Sequence, residues 1–126
     1  VHNADEALAR TCRETGALIA NYTAAPVYAH GESHGHHQWL IEFNRRPADM
    51  ELFADALDSH LQDVNSDYEA KRSGSIFLDR LTITEARPGL FDRWLGSTGK
   101  LGGQRKVPRL SNDRKIMESM LAMNGE

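Results

Sequence analysis

Between positions 99 and 110 the chain reads Gly-Lys-Leu-Gly-Gly-Gln-Arg-Lys-Val-Pro-Arg-Leu. Four cations, Lys100, Arg105, Lys106 and Arg109, share this stretch with the adjacent glycines Gly102 and Gly103. Glycine adopts backbone conformations closed to other residues and lets a main chain approach a ligand closely. Pro108 forbids a helix and biases Val107 towards an extended conformation. A glycine-bearing, cationic, non-helical loop suits an anion such as a phosphate, although a solvated surface connection has the same composition.

Two other groups of residues invite a chemical reading. His30, His34, His36 and His37 crowd the stretch His30-Gly-Glu-Ser-His-Gly-His-His37. Imidazole suits zinc, copper or nickel. Structural zinc sites normally close with four ligands, and this tract has no cysteine beside it, so no metal site is assigned. The carboxylates Asp49, Glu51, Asp55, Asp58 and Asp63 accompany an apolar helical stripe and read as its solvated faces rather than as an acid–base pair. Cys12 lies at helical spacing with Ala4 and Leu8 and reads as packing.

The elements that must position these residues follow from periodicity. A helix is expected from about Ala4 to Thr15, capped by Asn3 with Glu6 three residues on, and stopped at Gly16. Leu18 to Ala29 reads as a strand with Pro26 at an edge or bulge. His37 to Phe43 alternates, with Trp39, Ile41 and Phe43 on one side and Gln38, Leu40 and Glu42 on the other. The two strands form an antiparallel hairpin with the histidine tract at its tip.

Pro47 suits the first turn of a helix in which Met50, Phe53, Leu57, Leu61 and Val64 recur at spacings of three and four. Asn65-Ser66-Asp67 breaks or re-caps it, and Tyr68 to Arg72 form a second helical piece ending at Ser73-Gly74. A strand is expected over Leu81–Ala86, closed by Pro88-Gly89. A short helix from about Leu90 to Ser97 carries Phe91, Trp94 and Leu95 as core. Ser111 or Asn112 caps a last helix with a stripe of Ile116 or Met117, Met120, Leu121 and Met123.

These elements predict an α+β fold with a small, three- to four-stranded, largely antiparallel sheet flanked by helices. The 126 residues fit one domain, and 40% hydrophobic and 26% charged residues are ordinary for a globular chain. A net charge of −3 argues against general attraction to nucleic acid or membrane surfaces. No apolar run approaches the ~20 residues that span a bilayer. One cysteine forms no internal disulfide, which fits an intracellular, cytoplasmic protein. Without an initiating Met the chain is expected to be a fragment of a larger protein.

Four motifs, in order and spacing, resemble a known family: His37-Gln-Trp-Leu-Ile-Glu-Phe43, Asn65-Ser-Asp-Tyr-Glu-Ala-Lys-Arg72, Gly89-Leu-Phe91 and Gln104-Arg-Lys-Val-Pro-Arg109. Together they resemble the C-terminal domain of the auxin-responsive promoter family, the plant acyl acid amido synthetases and their bacterial relatives. The resemblance covers nearly the whole chain. It implies that residues 1–126 are the single C-terminal cap domain of a two-domain, adenylate-forming ligase.

By that resemblance, the full protein activates a carboxylic acid with ATP and Mg²⁺ and releases pyrophosphate. An amine or amino acid then attacks the acyl-adenylate to give an amide and AMP. The N-terminal domain would hold most of the nucleotide and acyl pocket, and the small domain would rotate over it between half-reactions. Lys106 matches the family lysine that reaches the nucleotide phosphate and is the expected catalytic residue. Lys100, Gly102, Gly103 and Arg109 are expected to serve the same anion. Arg109 either contacts phosphate or anchors the loop to an acidic neighbour. Asn65, Tyr68 and Arg72 match family positions but read as structural. The expected partners are the N-terminal domain and the small-molecule acid and amine, with neither nucleic acid nor membrane. The isolated fragment should not turn over. Two alternatives are a non-catalytic docking module, suggested by the Met-rich last helix, and a metal-binding protein using the histidine tract.

Overall fold

In the computed structural model, residues 2–29, 34–75, 77–97 and 107–125 are described. The elements run α1 (His2–Thr15), β1 (Leu18–Val27), β2 (His36–Arg45), α2 (Met50–Val64), α3 (Ser66–Arg72), β3 (Thr82–Glu85), α4 (Leu90–Ser97) and α5 (Lys115–Asn124), with a 3₁₀ turn at Ser73–Ser75. The order of helices and strands is the one the periodicity predicts. Gly16, at φ 77°, ends α1 and donates its N–H to the Cys12 carbonyl at 2.8 Å. The helix begins earlier than expected, taking in Asn3, and Glu6 binds Arg10 rather than closing a capping box.

Among the described residues the sheet has three strands in the order β1-β2-β3. β1 and β2 pair antiparallel, from Leu18 opposite Arg45 to Val27 opposite His36. β3 joins parallel to β2, Gln38 opposite Thr82 and Ile41 opposite Glu85, so the sheet is mixed rather than antiparallel throughout. The long crossover through α2 and α3 returns the chain in the same direction, which a hairpin turn does not allow. The irregularities in β1 fall at its start, between Leu18 and Asn21, and not at Pro26.

Alternation along the strands divides the core. Tyr22, Ala24, Trp39 and Ile41 pack with Ala4, Ala7 and Leu8 of α1 and Phe53, Leu57 and Leu61 of α2. Ala25 and Leu40 face the other way, against Leu90, Phe91 and Trp94 of α4 and Met117 and Met120 of α5. The sheet is therefore covered on both faces, and its faces are those read from the alternation of β2.

Three local readings need correction. Pro47 precedes α2, whose N-cap is Asp49; its carboxylate accepts from the Glu51 and Leu52 amides at 2.9 and 3.2 Å. Asp58 is not on a solvated face: it is 4% exposed beneath α3. No side-chain bond comes from the N-cap of α5, Arg114, while Asp113 accepts from the Lys115 amide at 2.9 Å.

Candidate functional site

A cleft of about 520 Å³ crosses the outer edge of β1. One wall is α1, with Asp5, Leu8 and Cys12, and the other is α4, with Phe91 and Leu95. The first half of β1 forms its floor, and Val107 and Arg109 close one end. Because α1 and α4 cover opposite faces of the sheet, only its rim lies between them. Leu95 and Val107, which precede and follow residues 98–106 in the sequence, both line this cleft.

The segment after Lys106 is fixed to β1 by main-chain bonds. The Ala24 amide donates to the Arg109 carbonyl at 2.8 Å, and the Ser111 amide donates to the Ala24 carbonyl at 3.0 Å. This is an isolated parallel bridge of Leu110 to Ala24, a single rung on the outer edge of β1. Thr23, 1% exposed, donates its hydroxyl to the Pro108 carbonyl at 2.7 Å. Val107 is buried against the α4–α5 core. Pro108 needs no amide partner at such an edge, which suits its place here.

Arg109 donates from Nη1 to Asp5 Oδ2 at 2.9 Å, and its guanidinium lies 5.7 Å from the centre of the Tyr22 ring. Tyr22 donates its hydroxyl to the other oxygen of Asp5 at 2.5 Å. Burial, and then the hydrogen bond to this carboxylate, hold the Tyr22 phenol protonated well above its ordinary range. In this structure Arg109 anchors the segment to an acidic neighbour, one of the two roles expected for it. Lys100, Gly102, Gly103 and Lys106 lie outside the described residues.

Asp5 was not singled out by the sequence. It stands 104 residues from Arg109, and no local spacing joins them. Cys12 lines the cleft, but burial pushes its thiol upward, away from the thiolate a nucleophile needs.

Asn65, Tyr68 and Arg72 form a separate, structural cluster. Asn65 caps α3 by accepting from the Tyr68 amide at 3.1 Å. Tyr68, Gln62 and Arg72 all donate to Asp58. In the histidine tract, His34 lies 3.5 Å from Asp79 and the His37 ring packs beside Tyr68. His30 is outside the described residues. Among the described residues no three His, Cys, Asp or Glu side chains converge on a metal position. The Met-rich face of α5 is occupied by its own core, with Met117 and Met120 buried against α4 and Leu40.

Among the described residues no helix is long and apolar enough to cross a membrane. No curated protein matches the chain in sequence. Its fold is similar to that of AtGH3.15 acyl acid amido synthetase in complex with 2,4-DB, and to the GH3.15 acyl acid amido synthetase. Each comparison has a TM-score of 0.72 at 16% identity and covers 95% of this chain but 23% of the solved one. The chain thus spans about a quarter of the length of those structures, and at that identity the likeness speaks to the fold. The family model described as the GH3 family C-terminal domain matches residues 2–115. That match spans the cleft, helices α1 to α4 and the segment after Lys106, ending at the first residue of α5, and the chain belongs to the GH3 family as its C-terminal domain.

Proposed function

We propose that this chain is the mobile C-terminal domain of an ATP-dependent acyl acid amido synthetase of the adenylate-forming type. The observation that carries the reading is the family match over residues 2–115, in a family whose similar solved structures are acyl acid amido synthetases. The full protein would join a carboxylic acid to an amine or amino acid through an acyl-adenylate, in the cytoplasm. Its domain partner would be its own N-terminal domain, with neither nucleic acid nor membrane involved, and the isolated fragment would be inactive.

Within this reading Lys106 is the catalytic residue. Adenylation spreads negative charge over the α-phosphate and the departing pyrophosphate, and a pre-positioned ammonium lowers that barrier. Lys100 would add to the field, Gly102 and Gly103 would admit the backbone to the cleft, and Arg109 would orient the segment that follows. Among the described residues, the cation that lines the cleft, Arg109, is paired with Asp5. On this reading ATP and Mg²⁺ would be held mainly by the N-terminal domain, with this domain rotating over them between half-reactions.

The test is pyrophosphate release by the full-length protein with ATP, Mg²⁺ and a panel of carboxylic acids. Acid-dependent release should fall by about 10²-fold or more in Lys106→Ala. Release that survives the substitution removes Lys106 from the chemistry while leaving the enzyme.

A further inference from the structure

The two halves of β1 meet the outer edge of the sheet differently. Ala24 is covered there: its amide donates to the Arg109 carbonyl and its carbonyl accepts from the Ser111 amide. Main-chain groups along a strand alternate in direction with a period of two, so those of Tyr22 face the same side. Among the described residues nothing pairs with them, and nearer the start of the strand Leu18, Ala20 and Asn21 are exposed. β1 is thus an edge strand whose first half is left open, on the floor of the cleft between α1 and α4.

Open N–H and C=O groups at a sheet edge have another main chain as their complement. The stretch from Leu18 to Tyr22 carries no charge and no proline, two devices that block pairing at an edge. Leu8 and Cys12 of α1 flank it on one side and Phe91 and Leu95 of α4 on the other. An added strand would therefore meet apolar surface with both sets of its alternating side chains. With strands ~4.8 Å apart, a rise of ~3.3 Å and a layer depth of ~10 Å, the 520 Å³ cleft holds about three extended residues. Asp92 lines the cleft and is exposed, and among the described residues it has no ion-pair partner. The charge of Arg109 is met by Asp5, so the cleft favours a segment that brings a lysine or arginine.

A second copy of the chain does not fit this floor. Its own edge is recessed between the same two helices, and the walls would collide before the strands came within the ~4.8 Å of a pair. The rest of the polypeptide is the occupant always at hand: the chain belongs to its family as a C-terminal domain and covers 23% of the solved synthetases it resembles. A tethered partner is present at millimolar effective concentration, so a short pairing too weak to persist between separate molecules suffices within one, and still releases. We infer that the open half of β1 is a docking edge for an extended, apolar segment of the N-terminal domain carrying a basic residue, which adds to the sheet beside Tyr22. This rests on the two-domain reading given above.

The experiment uses the full-length protein. A photo-crosslinking side chain placed at Ala20 should join it to one short stretch of the N-terminal domain, identified by peptide mass spectrometry. By hydrogen exchange the Tyr22 amide should be protected in the wild type and exchange at least about tenfold faster in Leu18→Lys, with the Ala24 amide unchanged. Leu18 and Leu52 are 49% and 62% exposed, but Leu52 lies on α2 outside the cleft, so Leu52→Lys should leave Tyr22 protected. Crosslinks confined to residues 1–126 or to a second copy, or no crosslink, overturn the proposal. So does a Tyr22 amide that exchanges as freely in the wild type as in Leu18→Lys. If Leu18→Lys also exposes Ala24, the strand itself has opened, and the crosslink from Ala20 alone decides. Pyrophosphate release is read separately. A wild type that releases none with any acid sinks the adenylating reading and leaves the docking edge to its crosslink, whereas an active wild type without the crosslink sinks this inference alone.

Discussion

Arg72 closes on Asp58 from 14 residues away, its Nε and Nη2 reaching both carboxylate oxygens at 2.9–3.0 Å. The pair pins α3 onto α2, and Arg72 also donates to the Leu78 carbonyl at 3.2 Å, tying in the approach to β3. Asp58 is 4% exposed, so this is a buried charge whose partner cannot be removed cheaply. Arg72→Met should lower the unfolding free energy by about 3 kcal/mol, the lower end for a broken buried pair, because Tyr68 and Gln62 still donate to the carboxylate. Denaturant unfolding checks it. A loss under about 1 kcal/mol would mean that those two neutral donors suffice.

Gly16 offers a cleaner test of backbone strain. It sits at φ 77°, and a Cβ added there would meet nothing within 4 Å. Any cost of Gly16→Ala is therefore conformational, about 1–2 kcal/mol, with no steric clash to confuse it. Asparagine tolerates this region better, so Gly16→Asn should cost less than Gly16→Ala in the same unfolding experiment. Equal costs for the two would point to something other than φ.

Local signals made much of this fold readable. Gly16 and Gly89 ended or opened elements where a positive φ was needed, and Leu90–Ser97 is the helix its aromatic spacing predicts. Trp39 and Ile41 separate from Leu40 as strict alternation requires. What escaped was every feature set by distant partners. Asp58 lies on a helix beside truly exposed carboxylates such as Glu51, and only its partners Tyr68 and Arg72 on another helix mark it as buried. The parallel course of β3 depends on how α2 and α3 cross the sheet, which no residue in Thr82–Glu85 records. Pro47 suits a first helical turn, but Asp49 supplies the cap two residues later.

The candidate site divides along the same line. In the sequence Arg109 is one cation in a cationic loop, and no local spacing distinguishes a phosphate contact from an anchoring one. Its partner in this structure, Asp5, resembles any first-turn helix acid. Thr23 and Pro108 join across 85 positions through a hydroxyl whose role no strand pattern announces. The cationic motif is legible in the sequence, while the contacts that hold its flank, Val107 to Ser111, come from tertiary structure.

The Asp58–Arg72 pair also makes a prediction about pH. Burial pushes the Asp58 carboxyl up, but hydrogen bonds from Arg72 and Tyr68 and the Arg72 charge outweigh it, leaving the group below its ordinary value of 3.8. The unfolded chain therefore binds this proton at a higher pH than the folded one. Stability from the pair is fully present above the unfolded value and is lost as pH falls through the folded one. In Arg72→Met the guanidinium is gone and burial dominates, so the folded carboxyl should rise above the unfolded value and the sign reverses. The cost of Arg72→Met should then be smaller near pH 3 than near pH 6, since the other titrating groups are common to both chains and largely cancel. Unfolding free energies of the two proteins, measured side by side across that range, give the difference directly. A difference that stays flat from pH 3 to 6 would mean that Asp58 is ionised to the same extent with and without its arginine, and the ion pair would lose its place as the contact that holds α3 to α2.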